Sequence, residues 1–231
     1  MPGSEISQVT EAGYEGPAVM RPNPIADSIQ FLTGSALFYV FILLVLISLI
    51  VAAVNLARDP GQRNLKDISV FVLRFFIGCM WWQQSLWKLP PLYTDHPDGS
   101  GGLRYWVDRS VDGAAFQIHS DFFQYVVIPH FFLFAPIVYA TEVLIGVSLI
   151  TGTAVRLFGL IGAAMAINLW LGLYHARGEW PWTYFFLIVV MLLFVILRAG
   201  RSLGGDALIA RSLEEAPRSG DLRSRILALV T

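Results

Sequence analysis

The sequence predicts an all-α integral membrane protein that crosses the bilayer five times, and three observations carry that prediction. Of 231 residues, 55% are hydrophobic and 14% charged, with a mean hydropathy of +0.60, whereas soluble domains carry about 25% charged residues. Five apolar stretches, approximately 34–57, 69–90, 125–151, 155–175 and 181–199, are each long enough to cover a hydrocarbon core about 30 Å thick at about 1.5 Å per residue. Polar residues in the second stretch keep helical spacing. Arg74, Gly78, Trp81, Ser85 and Lys88 are 4, 3, 4 and 3 apart, which stacks them within about 40° of one line.

Residues 1–33 hold Glu5, Glu11, Glu15 and Asp27 against a single Arg21. That is the wrong charge for a secretory signal, and the segment reads as extracytoplasmic. The first span, 34–57, contains no charge and only Ser48 and Asn55 as polar interruptions, so it reads as an added anchor or docking helix. Lys and Arg accumulate on cytoplasmic flanks. Arg58, Arg63 and Lys66 follow span one, Arg156 lies between spans three and four, and Arg198, Arg201, Arg211, Arg218, Arg223 and Arg225 follow span five. Alternation across five spans puts all of them on one side. The N-terminus is therefore expected outside and the tail 212–231 in the cytoplasm.

The outer loop 91–124 opens with Asp95, His96, Asp98 and the turn-forming Gly99-Ser100-Gly101-Gly102. Leu103–Val111 then sets Tyr105 and Trp106 beside Arg104, Asp108 and Arg109. That mixture suits an interfacial helix under the headgroups, either as an ordinary aromatic belt or as a lid over a cavity.

Several function classes are disfavoured. A net charge of −1 offers no basic face for nucleic acid. Cys79 is the only cysteine, so the chain holds no internal disulfide or CxxC pair, and a small buried hydrophobe is the expected role. His96, His119, His130 and His175 lie on separate segments without HxxxH or ExxH spacing, so no metal site is expected. The glycine run lacks a P-loop context.

A charge at membrane depth costs about 2.5–3.5 kcal/mol on insertion scales, so partners are expected. Counted from the cytoplasmic side, Arg74 lies about 7 Å deep and Glu142 about 13 Å, a gap an arginine side chain can bridge. The expected inner layer is an Arg74–Glu142 pair, either purely structural or also binding a headgroup or relaying protons. Nearer the outer face Lys88, Gln84, His130, Asn168 and His175 approach a common depth, and Trp81, Trp82, Trp87 and Trp170 supply flat apolar walls with N–H donors. Such a layer suits a quinone ring or an interfacial belt.

Gly159 with Ala163, Gly162 with Ala166, and Gly146 let neighbouring helices approach closely. The turn Thr151-Gly152-Thr153 is short enough to impose an antiparallel hairpin, so spans two to five are expected to form an up-down four-helix bundle.

Three segments, Leu73-Arg74-Phe75-Phe76-Ile77-Gly78 continuing to Lys88, Thr141-Glu142-Val143-Leu144-Ile145-Gly146 continuing to Gly152, and Gly200-Arg201-Ser202-Leu203-Gly204-Gly205-Asp206, resemble the DoxX/DoxD family of small four-helix membrane proteins. The family includes the DoxD-like subunit of thiosulfate:quinone oxidoreductase. The resemblance covers about 68–211 and implies a DoxX-like four-helix domain in a prokaryotic plasma membrane, passing electrons to the quinone pool or working with a partner redox subunit. Its carried-over positions are Arg74, Lys88, Glu142 and Asp206. The expected function is thus a membrane subunit of a quinone-linked oxidoreductase, with sulfur compounds such as thiosulfate as donors. Glu142 would carry a proton, Arg74 would neutralise it, and Lys88, Gln84, Trp81, His130 and Asn168 would surround the quinone. The alternative is a non-catalytic assembly subunit docked to a larger redox or photosynthetic complex. A solute carrier lacks an inverted repeat or broken helix in its favour.

Overall fold

The structure is a computed structural model that describes residues 23–33, 37–91, 93 and 102–215. Asp95, His96, Asp98 and the Gly99–Gly101 turn, the acidic segment before Asn23 and the tail beyond Glu215 lie outside these residues. The described chain is helical: α1 (Pro24–Thr33), α2 (Phe38–Arg58), α3 (Leu65–Leu86), α4 (Leu103–Asp112), α5 (Gln117–Phe122), α6 (Phe131–Thr151), α7 (Val155–Gly172), α8 (Pro181–Ile196) and α9 (Gly205–Glu215). Three of them, α2, α6 and α7, are long and apolar enough to cross a membrane, and α8 is a shorter apolar helix. The protein is a multi-pass membrane protein.

Local chemistry sets the helix ends. Asn64 caps α3 by accepting the Asp67 amide at 3.0 Å, satisfying one of the orphan donors of the first turn. Gly152 ends α6 in a left-handed conformation, φ 73°, and three residues later Val155 opens α7 in the opposite direction. Pro181 starts α8 at a position where its missing N–H removes nothing. Span three begins later than its apolar run implies. Phe123–Val127 forms a π-helical turn, and His130 precedes α6 outside helical geometry. Pro136 sits inside α6.

α3 lies along α6, α6 pairs with α7 through the tight turn, and α7 lies along α8. Glycines allow the close approaches. A Cβ on Gly78 would sit 2.7 Å from the Ile150 amide nitrogen, and one on Gly146 would sit 3.0 Å from that of Trp82. Gly159 and Gly162 make room for Val195 and Met191 of α8. A central core of Trp81, Ile145, Leu149, Val155, Met191 and Phe194 unites the four helices. A second cluster joins Leu103 and Val107 of α4 to Phe123, Val127, Phe131 and Ala135, so the outer-loop helix is packed onto the bundle.

The first span is integrated into that bundle. α2 packs on α6 and reaches α9, with Phe41 and Leu44 against Trp82, Leu86 and Ile150. Its two polar interruptions are both buried. Ser48 donates to the Ile150 carbonyl at 2.6 Å, and Asn55 donates to the Gly204 carbonyl at 3.0 Å.

Candidate functional site

The polar stripe on α3 divides into two sites, and Glu142 belongs to the one at the C-terminal end of α3. The glycine contacts set the register of α3 against α6: Gly78 faces Leu149 and Ile150, and Gly146 faces Trp82. Continuing that antiparallel register puts Glu142 level with the C-terminal end of α3, about 18 Å along the axis from Arg74 at 1.5 Å per residue. The expected Arg74–Glu142 pair is therefore not formed. Glu142 is bound by Lys88, whose Nζ donates to Oε1. Lys88 lies just past α3, and its flexible stem carries the ammonium inward.

Arg74, fully buried, serves the opposite end. Its Nη1 donates to the Leu149 carbonyl and, at 3.4 Å, to that of Ile150, where α6 ends. Cationic donors are favoured at a helix C-terminus. The neighbouring acid is Asp206, also fully buried, which accepts the Ala154 amide at 2.6 Å and the Val155 amide at 3.0 Å while its own amide donates to the Gly152 carbonyl at 2.8 Å. Asp206 thus caps α7 from a distant segment. Leu203 donates its amide to Gln62 at 2.8 Å, and Ser202 donates to Asp67 at 2.6 Å. The Gly200–Asp206 motif is a clamp that binds the α6–α7 turn to the start of α3 and the end of α2.

The site around Glu142 is a cavity of about 630 Å³, within the range of about 300–1,000 Å³ typical of small-molecule sites. Trp81, Gln84, Trp87 and Lys88 come from the α3 end, Glu142 from α6, Asn168 from α7, and Leu103, Trp106, Val107 and Ser110 from α4. Four of the five expected ligand-binding residues meet here: Trp81, Gln84, Lys88 and Asn168. The fifth, His130, is exposed, and its Nδ1 bonds the Val126 carbonyl at 2.9 Å. Leaving helical geometry just before α6 directs His130 away from the cavity. Arg74 does not line it. α4 is a wall of the cavity, as a lid requires, because Leu103, Val107 and Ser110 share one helical face and turn inward.

The Lys88–Glu142 pair is dry, with side chains 7% and 3% exposed, and the ammonium also stands 4.3 Å from the centre of the Trp87 ring. Two buried polar atoms of wall residues have no hydrogen-bond partner among the described residues: Glu142 Oε2, an acceptor, and Trp81 Nε1, a donor. Buried polar atoms are normally satisfied. A guest that accepts from Trp81 Nε1 and, in a protonated or reduced form, donates to Glu142 Oε2 would satisfy both atoms.

Sequence reasoning missed Glu179 and Tyr184. Both line the cavity, and the Tyr184 hydroxyl donates to Glu179 Oε2 at 2.6 Å. The available signal was a lone acid in the short α7–α8 connection just before Trp180-Pro181. His175 borders a separate shallow depression with Tyr105, Arg109 and Arg177.

A family model described as TQO small subunit DoxD matches residues 70–222, well over half of the chain, with Arg74, Lys88, Glu142 and Asp206 inside the match. No curated protein and no solved structure matches. The chain belongs to the DoxD family, the small-subunit family of thiosulfate:quinone oxidoreductase.

Proposed function

We propose that the chain is the membrane subunit of a quinone-linked oxidoreductase and that the cavity beneath α4 receives the quinone ring. The observation carrying this reading is the ion pair of Lys88 and Glu142 in the wall of a largely aromatic and aliphatic cavity of about 630 Å³. A bound quinone supplies a two-electron acceptor that takes two protons to become quinol, its electrons coming from a reduced sulfur compound or a partner redox subunit.

The chain's own residues bind, orient and protonate. Trp81 Nε1 would donate to one ring carbonyl, and the remaining N–H groups of Lys88 or the amide of Gln84 would hold the other. Asn168 adds a polar contact from α7. Glu142, held by Lys88 through Oε1, would give up and regain a proton at Oε2, while α4 screens the cavity from water and so strengthens each polar contact. Arg74 takes no part in this chemistry.

The same reading places five spans in a prokaryotic plasma membrane, α2, α3, α6, α7 and α8, with the N-terminus outside and the C-terminus cytoplasmic. α3 is 22 residues long, enough to cross, with Arg74 turned to the end of α6 and Gln84 to the cavity. The outer face then carries the cavity's roof, where an extracytoplasmic donor subunit would dock. Lipids would surround the rest.

Purification of the chain in mild detergent with identification of bound quinone and proteins tests the assignment. Co-purifying quinone, and loss of quinol formation in Glu142→Gln with membrane insertion intact, are the expected results. Unchanged turnover in that variant overturns the role of Glu142. A stoichiometric partner complex that contains neither quinone nor redox activity would establish the assembly reading in its place.

A further inference from the structure

Three sides of the helical bundle are closed, by α3 on α6, α6 on α7 and α7 on α8, whereas the backbones of α8 and α3 scarcely approach each other. The cavity reaches that open side. Met80 and Gln84 of α3 and Thr183 and Leu187 of α8 all line it, with Gln84 and Thr183 exposed. The edges are single helical faces, because 80 and 84 are four apart, as are 183 and 187. Below Met80 the α3 face continues through Phe76 and Leu73, both exposed and apolar. A cleft between α3 and α8 at Gln84 and Thr183 therefore opens from the cavity onto this exposed apolar strip of α3.

Size then limits the guest. About 630 Å³ is the class of site that encloses one drug-sized molecule, enough for a ring with a short piece of tail. A membrane quinone carries a tail much longer than its ring. A tail that cannot be enclosed must leave, and an apolar chain leaves most favourably into lipid. The polar anchors, Lys88 with Glu142, lie against α6 on a closed side, which turns the far end of the guest toward the open one.

Resting on the functional reading above, we propose that the α3–α8 cleft is a lateral portal, and that the ligand is an amphipathic lipid with one long apolar tail that lies along Met80, Phe76 and Leu73 while its ring is held by the cavity. Ligand exchange then occurs within the membrane, without opening of the α4 lid.

The test uses the full-length protein in lipid nanodiscs with two benzoquinone probes, one bearing a photoreactive diazirine on the ring and the other at the end of a long isoprenoid tail. Crosslinks are mapped by mass spectrometry with and without excess unlabelled long-tailed quinone. The expected result is ring-probe crosslinking to cavity residues and tail-probe crosslinking to the exposed faces of α3 and α8, both suppressed by the competitor. Ring crosslinks in the cavity with tail crosslinks under α4 and α5, near Phe122, overturn the portal and leave the quinone site standing. Crosslinks across the cleft to a helix of a second copy or of a partner protein, with the tail probe excluded, also overturn it. The absence of any suppressible crosslink overturns both the portal and the functional reading on which it rests.

Discussion

Lys88 reaches back past the end of α3 to bind Glu142 on α6, closing a buried ion pair between residues 54 positions apart. Removing one member of such a pair strands a charge and costs about 3–5 kcal/mol, whereas replacing both by apolar groups of similar size is close to neutral. Lys88→Met and Glu142→Leu should each lower thermal stability in detergent by that order, and the double variant should recover most of the loss. Quinone binding should fail in all three, so the cycle separates the fold contribution from the ligand contribution. A double variant no more stable than the singles would mean that the pair is not the interaction lost.

That the chain is helical and multi-pass was legible because apolar runs of bilayer length, such as those of α2, α6 and α7, leave few alternatives, and α4 was legible as a helix from Tyr105 and Trp106 beside Arg104, Asp108 and Arg109. The partner of Glu142 was not. Depth counting treats each span as starting at a common plane, whereas the register of α3 on α6 is fixed by Gly78 against Ile150 and Gly146 against Trp82, contacts that no single-helix pattern encodes. Once that register is known, Arg74 is too far from Glu142 and Lys88 is near. The integration of α2 was half legible, since Ser48 and Asn55 stood out as polar residues but their acceptors, Ile150 and Gly204, lie about a hundred or more positions away. Glu179 and Tyr184 were hidden for another reason: a carboxylate in a short loop looks solvated until α8 folds its hydroxyl over it.

Asp206 has two jobs, capping α7 through the Ala154 and Val155 amides and lying near the Arg74 guanidinium. Asp206→Ala removes both, and loss of a side-chain cap alone costs about 0.5–2 kcal/mol. The variant should unfold at lower temperature and expose Gly200–Asp206 to limited proteolysis. Asp206→Asn keeps an acceptor for one amide and should be damaged less. Both should retain ligand affinity, because neither residue of the Arg74–Asp206 cluster lines the cavity. A selective loss of quinone binding with unchanged stability would refute the clamp.

Asn55 ties the first span to the rest by donating to Gly204 and accepting from Arg211. Asn55→Leu should therefore cost about 1–3 kcal/mol, the usual result of leaving buried polar partners unsatisfied. The loss should appear as faster proteolysis of the α9 segment. If α2 were only a docking helix, the substitution would instead release a partner protein during purification and leave the isolated chain as stable as before.

Trp81 gives the sharpest division between a packing role and a binding role. Its indole is almost fully buried in the central core, yet Nε1 has no partner among the described residues and the side chain forms part of the cavity wall. Trp81→Phe removes a donor whose burial without a partner costs about 1–3 kcal/mol, and it also empties part of the indole's volume, which costs stability in the opposite sense. The two effects offset each other, so the ligand-free protein should change little in thermal stability. With a quinone bound, the hydrogen bond is lost without compensation. Affinity should fall by a few-fold to about tenfold, corresponding to about 0.5–1.5 kcal/mol, as measured by titrating a short-tailed quinone against the fluorescence of the remaining tryptophans. A clear drop in ligand-free stability with unchanged affinity would assign Trp81 to packing alone and remove the donor on which the ring's orientation depends.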